Sequence, residues 1–195
     1  MRAAFDPELD VAMESMQIRG NVMMQLHRES EGLLFPNDCL NLGLKVGLVA
    51  ATDHTFAADV RRNHYCLTGL WVRERTPEGV FEALRARRTF GMSDGKIAVW
   101  ATLAGQGMGS EVECSGKVSI HAELSCARRI VRAALMCDGK IRNWTPIGGK
   151  RASLELVDPE PAPGYHWYVV TAEMETAYGT PGYCHASPFF VTVRA

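Results

Sequence analysis

From residue 97 to the C-terminus the chain is written on a period of two. In KVSIHAEL, residues 117–124, Val118, Ile120, Ala122 and Leu124 share one face while Ser119, His121 and Glu123 share the other, the pattern of a strand with one side buried and one in water. KIAVWATLA, RIVRAALMCDGKIRNW, YHWYVVTAEM and SPFFVTVRA read as further strands, and Asp138-Gly139 falls where a tight hairpin turn reverses the chain. The turn-rich TAYGTPGYCHA separates the last two. Five or more short strands with turn signals between them and no convincing helix predict an antiparallel β-sandwich over residues 99–195.

Residues 1–98 have another character. Val11 to Ile18 reads as a strand or the end of a helix, and a polar loop follows it to Pro36. Asn37 or Asp38 can cap a short helix through Leu42, with Gly43 where a helix terminates, and KVGLVAA then supplies a buried strand. YCLTGLWV reads as a second buried strand. TPEGVFEALRARR is the clearest helix: Thr76 caps it, Pro77 takes its first position, and Glu78 suits the positive end. Val80, Phe81 and Leu84 form its expected buried stripe, with Arg85, Arg87 and Arg88 solvated near the negative end. Strands thus alternate with helices over 1–98, which makes two units of the chain.

Composition narrows the function classes. Of 195 residues, 47% are apolar and 22% charged, which is ordinary for a soluble globular protein. The formal charge of -1 gives no bulk attraction to nucleic acid or to an anionic membrane. No apolar run is long enough to span a bilayer. MRAAFDPELDVAMESMQ carries charges where a signal peptide has its apolar centre, so a cytoplasmic location is expected. Cys39, Cys66, Cys114, Cys126, Cys137 and Cys184 are scattered without CxxC spacing and read as reduced thiols packed as small apolar groups.

The chemistry concentrates in LVAATDHTFAADVRRNHYCLTGLWV, residues 48–72, where a buried strand runs directly into Asp53 and His54 and a second histidine, His64, follows. The end of a buried strand holds side chains firmly while the loop beyond it leaves room for a ligand. Asp53 offers a hard oxygen and His54 or His64 a nitrogen, a donor set suited to zinc, manganese or iron. An Asp-His pair alone is equally the content of an ordinary turn. The remaining features have bland readings: His121, His166 and His185 as surface or satisfied strand residues, the four tryptophans as core or sheet-face residues, and GQGMG as a turn with no helix to make it a dinucleotide loop.

GLVAATDHTF, NHYCLTGLWV, RTPEGVFEALRARRTFGMSDGKIAVW, YHWYVVTAEM and SPFFV occur in an order that resembles the C-terminal part of a branch of the PHP (polymerase and histidinol phosphatase) superfamily of metal-dependent phosphoesterase-like proteins. The resemblance covers most of the chain and is most specific over residues 47–97. It implies that 1–98 is the C-terminal portion of a distorted, TIM-like β/α barrel and that 99–195 is a β-sandwich extension. It also implies a divalent metal, with Asp53 and His54 matching the late metal-binding motif, His64 a frequent histidine before GLTG, and Glu14 a strand-end carboxylate. The catalytic set so implied is Asp53, His54 and His64, acting on a small-molecule ester. No His-x-His, the early metal motif of those enzymes, occurs in this sequence. The expectation is therefore an incomplete hydrolase, completed by a partner chain carrying the missing half or by self-association. The alternative is a noncatalytic binding or assembly module, or a remnant.

Overall fold

The computed structural model describes residues 6, 9–17, 36–52, 65–93, 96–177, 179 and 181–195. Two short helices and twelve strands are found among them: β1 (Ala12–Gln17), α1 (Pro36–Asn41), β2 (Gly47–Ala51), β3 (Cys66–Leu70), α2 (Pro77–Arg85), β4 (Thr89–Ser93), β5 (Ile97–Leu103), β6 (Gln106–Gly107), β7 (Glu111–Ser115), β8 (Val118–Cys137), β9 (Lys140–Asp158), β10 (Gly164–Met174), β11 (Gly182–Ala186) and β12 (Phe189–Arg194).

The spine is the β8–β9 hairpin, whose strands are 20 and 19 residues long. Asp138 and Gly139 close it with φ of 49° and 81°, the two positive values that a two-residue I′ turn requires. Along its other edge β8 pairs first with β5, through Ile120 to Cys126, and then with β10, through Ile130 to Cys137. Between these stretches the β8–β9 register jumps from Ser125↔Arg151 to Ile130↔Gly149, a wide bulge that lets one long strand serve two neighbours. β10 divides in turn, its first half pairing with β12 and its second with β11, and β11 leads through β4 to β3.

Period-two burial is visible throughout β8, with Val118, Ile120, Ala122 and Leu124 all buried. β10 is buried on both faces. Tyr168, Val170 and Ala172 enter the main core, while Trp167 and Val169 point the other way, against Leu40 of α1 and Leu48 of β2. Trp167 is fully buried and donates its indole N–H to Asn41 Oδ1 at 2.7 Å, so its polar atom is satisfied. At about 25 cal/mol per Å2, an indole of this size contributes about 4–6 kcal/mol before entropy. α1 and β2 thus form a cover packed on Trp167, Val169, Met136 and Phe190. The six cysteines are free thiols, five of them buried.

This architecture replaces the expected barrel portion followed by a sandwich. β3 and β4, joined by α2, are antiparallel neighbours, Leu67↔Met92 and Gly69↔Phe90, in the same ten-stranded sheet as the strands after residue 97. A β/α barrel needs every helix to return the chain to a parallel strand, whereas α2 closes the end of a hairpin. The only parallel pairs among the described residues are β1–β2 and β7–β12. Strand-helix-strand order looks the same in sequence for both arrangements; hydrogen-bond direction separates them.

α2 also departs from its expected packing. Thr76 caps it, its hydroxyl accepting from Gly79 N at 3.1 Å. Ala83, however, is the buried residue, while Val80 and Phe81 are 38% and 58% exposed. The arginines beyond it are not simply solvated. Arg87, at a positive φ of 55°, donates to Gly109 O at 2.9 Å and lies over the Phe190 ring, and Arg88 donates to Trp71 O and pairs with Glu82.

No helix of the described residues is long and apolar enough to cross a membrane.

Candidate functional site

β1 and β2 run parallel, in the register Met13↔Leu48, Glu14↔Val49, Met16↔Ala50 and Gln17↔Ala51, with Ser15 as the extra residue of a bulge. Their C-terminal ends therefore lie side by side. Glu14 is half-buried on β1. Asp53 comes two residues after the end of β2, so the chain enters the candidate metal motif directly from this paired end. Asp53, His54 and His64 themselves lie outside the described residues. Tyr65 and Cys66 bring the chain back, and Thr52 Oγ1 donates to Cys66 O at 3.0 Å, tying the departure and return points together.

Hydroxyl groups fix this pair on the main sheet. Among the described residues no strand pairs with the edge of β2 that faces away from β1, yet the backbone groups of Leu48 and Ala50 on that edge are satisfied. Leu48 N donates to Ser187 Oγ at 2.8 Å, and Thr89 Oγ1 donates to Leu48 O at 2.8 Å. The 2.8 Å approach of the two hydroxyls leaves the Ser187 proton for Thr89. Two residues on, Thr68 Oγ1 accepts from Ala50 N at 2.9 Å and donates to Ala50 O at 2.7 Å. Each hydroxyl supplies one donor and acceptor lone pairs, so it can stand in for a neighbouring strand. Glycines make the approach close: a Cβ on Gly91 would sit 2.9 Å from Ser15 Oγ and 3.1 Å from Ala50 Cβ. The strand that leads to Asp53 is thus held at every second residue.

A second group of metal-ligand types, Cys137, Asp138 and His166, comes together at the tip of the β8–β9 hairpin. Its atoms are already committed. Asp138 Oδ2 meets His166 Nδ1 at 2.7 Å, Asp138 Oδ1 accepts from Trp167 N at 3.0 Å, and His166 Nε2 donates to Ala162 O at 2.8 Å. Burial pushes the Cys137 thiol up to about 11, with Asp138 adding to the rise and Tyr168 and Arg142 opposing it. Burial by itself lowers the His166 pKa, but the hydrogen bonds to Asp138 and Ala162 and the charges of Asp138 and Asp158 raise it overall. An imidazolium that donates from both nitrogens has no lone pair for a metal, and a thiol held protonated is a poor ligand. This group is a structural lock between hairpin and β10, in keeping with the sequence reading of His166 as a satisfied strand residue. Its partner, Asp138, was legible only as a turn former.

No protein-family model matches this chain, and no curated protein does. Among solved structures it is similar to a lytic polysaccharide monooxygenase of Jonesia denitrificans, at 14% identity and a TM-score of 0.32, over 43% of this chain and 58% of that one. It is also similar to fibronectin(III)-like modules of CbhA from Clostridium thermocellum, at 14% identity and a TM-score of 0.31, over 48% of this chain and 93% of that one.

Proposed function

We propose that this chain contributes to a metal-dependent hydrolase of the phosphoesterase-like class, with its ligands carried by β1 and by the chain that leaves the C-terminal end of β2. The observation that supports this reading is the parallel register. It sets β1, with Glu14 inside it opposite Val49, beside the strand that runs into Asp53 and His54, so two stretches distant in sequence lie on one strand pair. Glu14 and Asp53 offer carboxylate oxygens, His54 and His64 imidazole nitrogens, and this mixed set fits zinc, manganese or iron. When bound, such an ion polarises a phosphoryl oxygen and lowers the pKa of a coordinated water. The chain's own part is to hold the ligands: the hydroxyl seam along β2 limits the freedom of the strand that carries them. Further ligands come from a partner chain, a second copy or other residues of the same protein, since these four do not fill a two- or three-metal centre.

Elemental analysis of the purified chain, before and after chelation and reloading, tests this reading. Stoichiometric metal that is lost in Asp53→Ala is the expected result. Equal metal in both proteins would sink the assignment. A noncatalytic binding or assembly module is the second reading, favoured by the exposure of Val80 and Phe81 on a helix with one buried residue.

A further inference from the structure

The outer face of the sheet carries a groove that neither reading uses. Two adjoining hollows of about 450 and 680 Å3 share Ala98, Ser125 and Arg151, and Trp71 and Trp100 form the floor at one end. The two indoles meet edge to face, with centroids 5.5 Å apart and planes at 76°. Trp71 is pinned by its N–H, which donates to Val99 O at 2.7 Å, yet remains 37% exposed. Trp100 lies over Gly107, where a Cβ would be 3.0 Å from the ring. Two rigid planes at nearly a right angle make a corner that receives the face of one ring and its edge together.

Basic side chains line the other end, as Arg73 and Arg88 line a neighbouring hollow on the indoles. The strands align Trp100 with Glu123 and Ser153 on one rung, and Ala98 with Ser125 and Arg151 on the next. Arg151 thus lies about 7 Å along the strands from the indole rung, at about 3.3 Å per residue. Lys96 and Lys150 line the hollow beside it, where the β8 bulge opens the wall. Arg129, Arg132, Arg142 and Arg194 each face a carboxylate, whereas Lys96, Lys150 and Arg151 have no such partner among the described residues. Glu123, the one carboxylate lining the two hollows among the described residues, sits at the indole end, where it can accept from a ring amino or hydroxyl group.

We propose that this groove binds a ring-bearing organic anion, its ring in the Trp71–Trp100 corner and its anionic group about 7–13 Å away, spanning two to four residues of strand, at Arg151, Lys150 and Lys96. Aryl or nucleoside phosphates and acidic sugars share this chemistry. The proposal stands on the groove alone and does not require the metal centre.

Titration of the full chain in EDTA, followed by tryptophan fluorescence and calorimetry, tests it. Adenosine triphosphate represents the phosphates and a galacturonic acid trimer the acidic sugars, with adenosine and inorganic triphosphate as controls for ring and charge alone. Saturable binding of either ring-bearing anion is expected. Trp100→Ala and Arg151→Glu should each weaken it tenfold or more while circular dichroism and melting show a folded chain, and each control should bind at least tenfold less well. If Trp100→Ala fails to fold, Arg151→Glu and the salt dependence carry the test. Failure of both anions to bind, or binding that neither substitution alters, would overturn the proposal.

Discussion

The surroundings of His166 favour its protonated form, since both ring nitrogens face oxygen acceptors. Its pKa is raised above the ordinary histidine value by Asp138 and by Ala162 O, against the opposing effect of burial. A group whose folded pKa is raised contributes stability that is fully present below the unfolded value, near 6.5, and is lost as pH rises through the folded value. The melting temperature of the wild-type chain should therefore fall from its mildly acidic level as pH passes upward through this range. His166→Gln should remove that part of the fall, and parallel melting curves for the two proteins from pH 5.5 to 9 would contradict the assignment. Asp138→Asn keeps a residue that tolerates the positive φ of the turn but removes the charge. A loss of about 1 kcal/mol is expected in urea titrations, at the low end for a charge-assisted bond because Asp138 is partly exposed. Gly69 gives a sharper case: the Phe90 ring lies across it, and a Cβ there would be 2.1 Å from Phe90 Cζ. Gly69→Ala should cost about 1–3 kcal/mol through displacement of that ring, whereas the same change at Gly149, where the nearest atom would be Arg151 O at 3.6 Å, is free of that clash.

At the scale of elements, β2 shows how a strand paired along one edge can be fixed along the other by hydroxyl groups. Ser187→Ala leaves Leu48 N–H without its buried acceptor, and a loss of about 1–3 kcal/mol in denaturant titrations is expected. A loss below about 0.5 kcal/mol would show that the hydroxyl seam does not hold β2. None of this was legible in sequence, where Thr68, Thr89 and Ser187 look like ordinary strand and loop polar residues. The half-buried stretch of β8 and the Asp138-Gly139 turn were legible, because alternation and positive-φ chemistry are local. β4 and β11 were not, since TFGMS and GYCHA are only five residues long and bury small or polar residues such as Thr89, Ser93 and His185 beside their core residues. The stripe on α2 was misplaced because an amphipathic pattern does not say which residues meet a neighbour, and here the small Ala83 allows the closest approach.

At the scale of the molecule, the second half of the sequence announced an antiparallel sheet, while the first half suggested a parallel β/α unit. Among the described residues of the first half, only the β1–β2 pair has that parallel character; β3 and β4 extend the antiparallel sheet. Long-range pairing decides such a question, and local patterns do not contain it. For the candidate site, the sequence singled out Glu14, Asp53, His54 and His64. Among these Glu14 stands on a strand paired in parallel with β2, and the other three lie outside the described residues. The claim that β1 and the chain leaving β2 serve one metal is tested most directly by calorimetric zinc titration of the apo chain beside Glu14→Gln and Asp53→Ala. One wild-type site weakened at least tenfold by each substitution is the expected result. Zinc affinity unchanged in both variants would contradict a metal centre on β1 and the chain leaving β2.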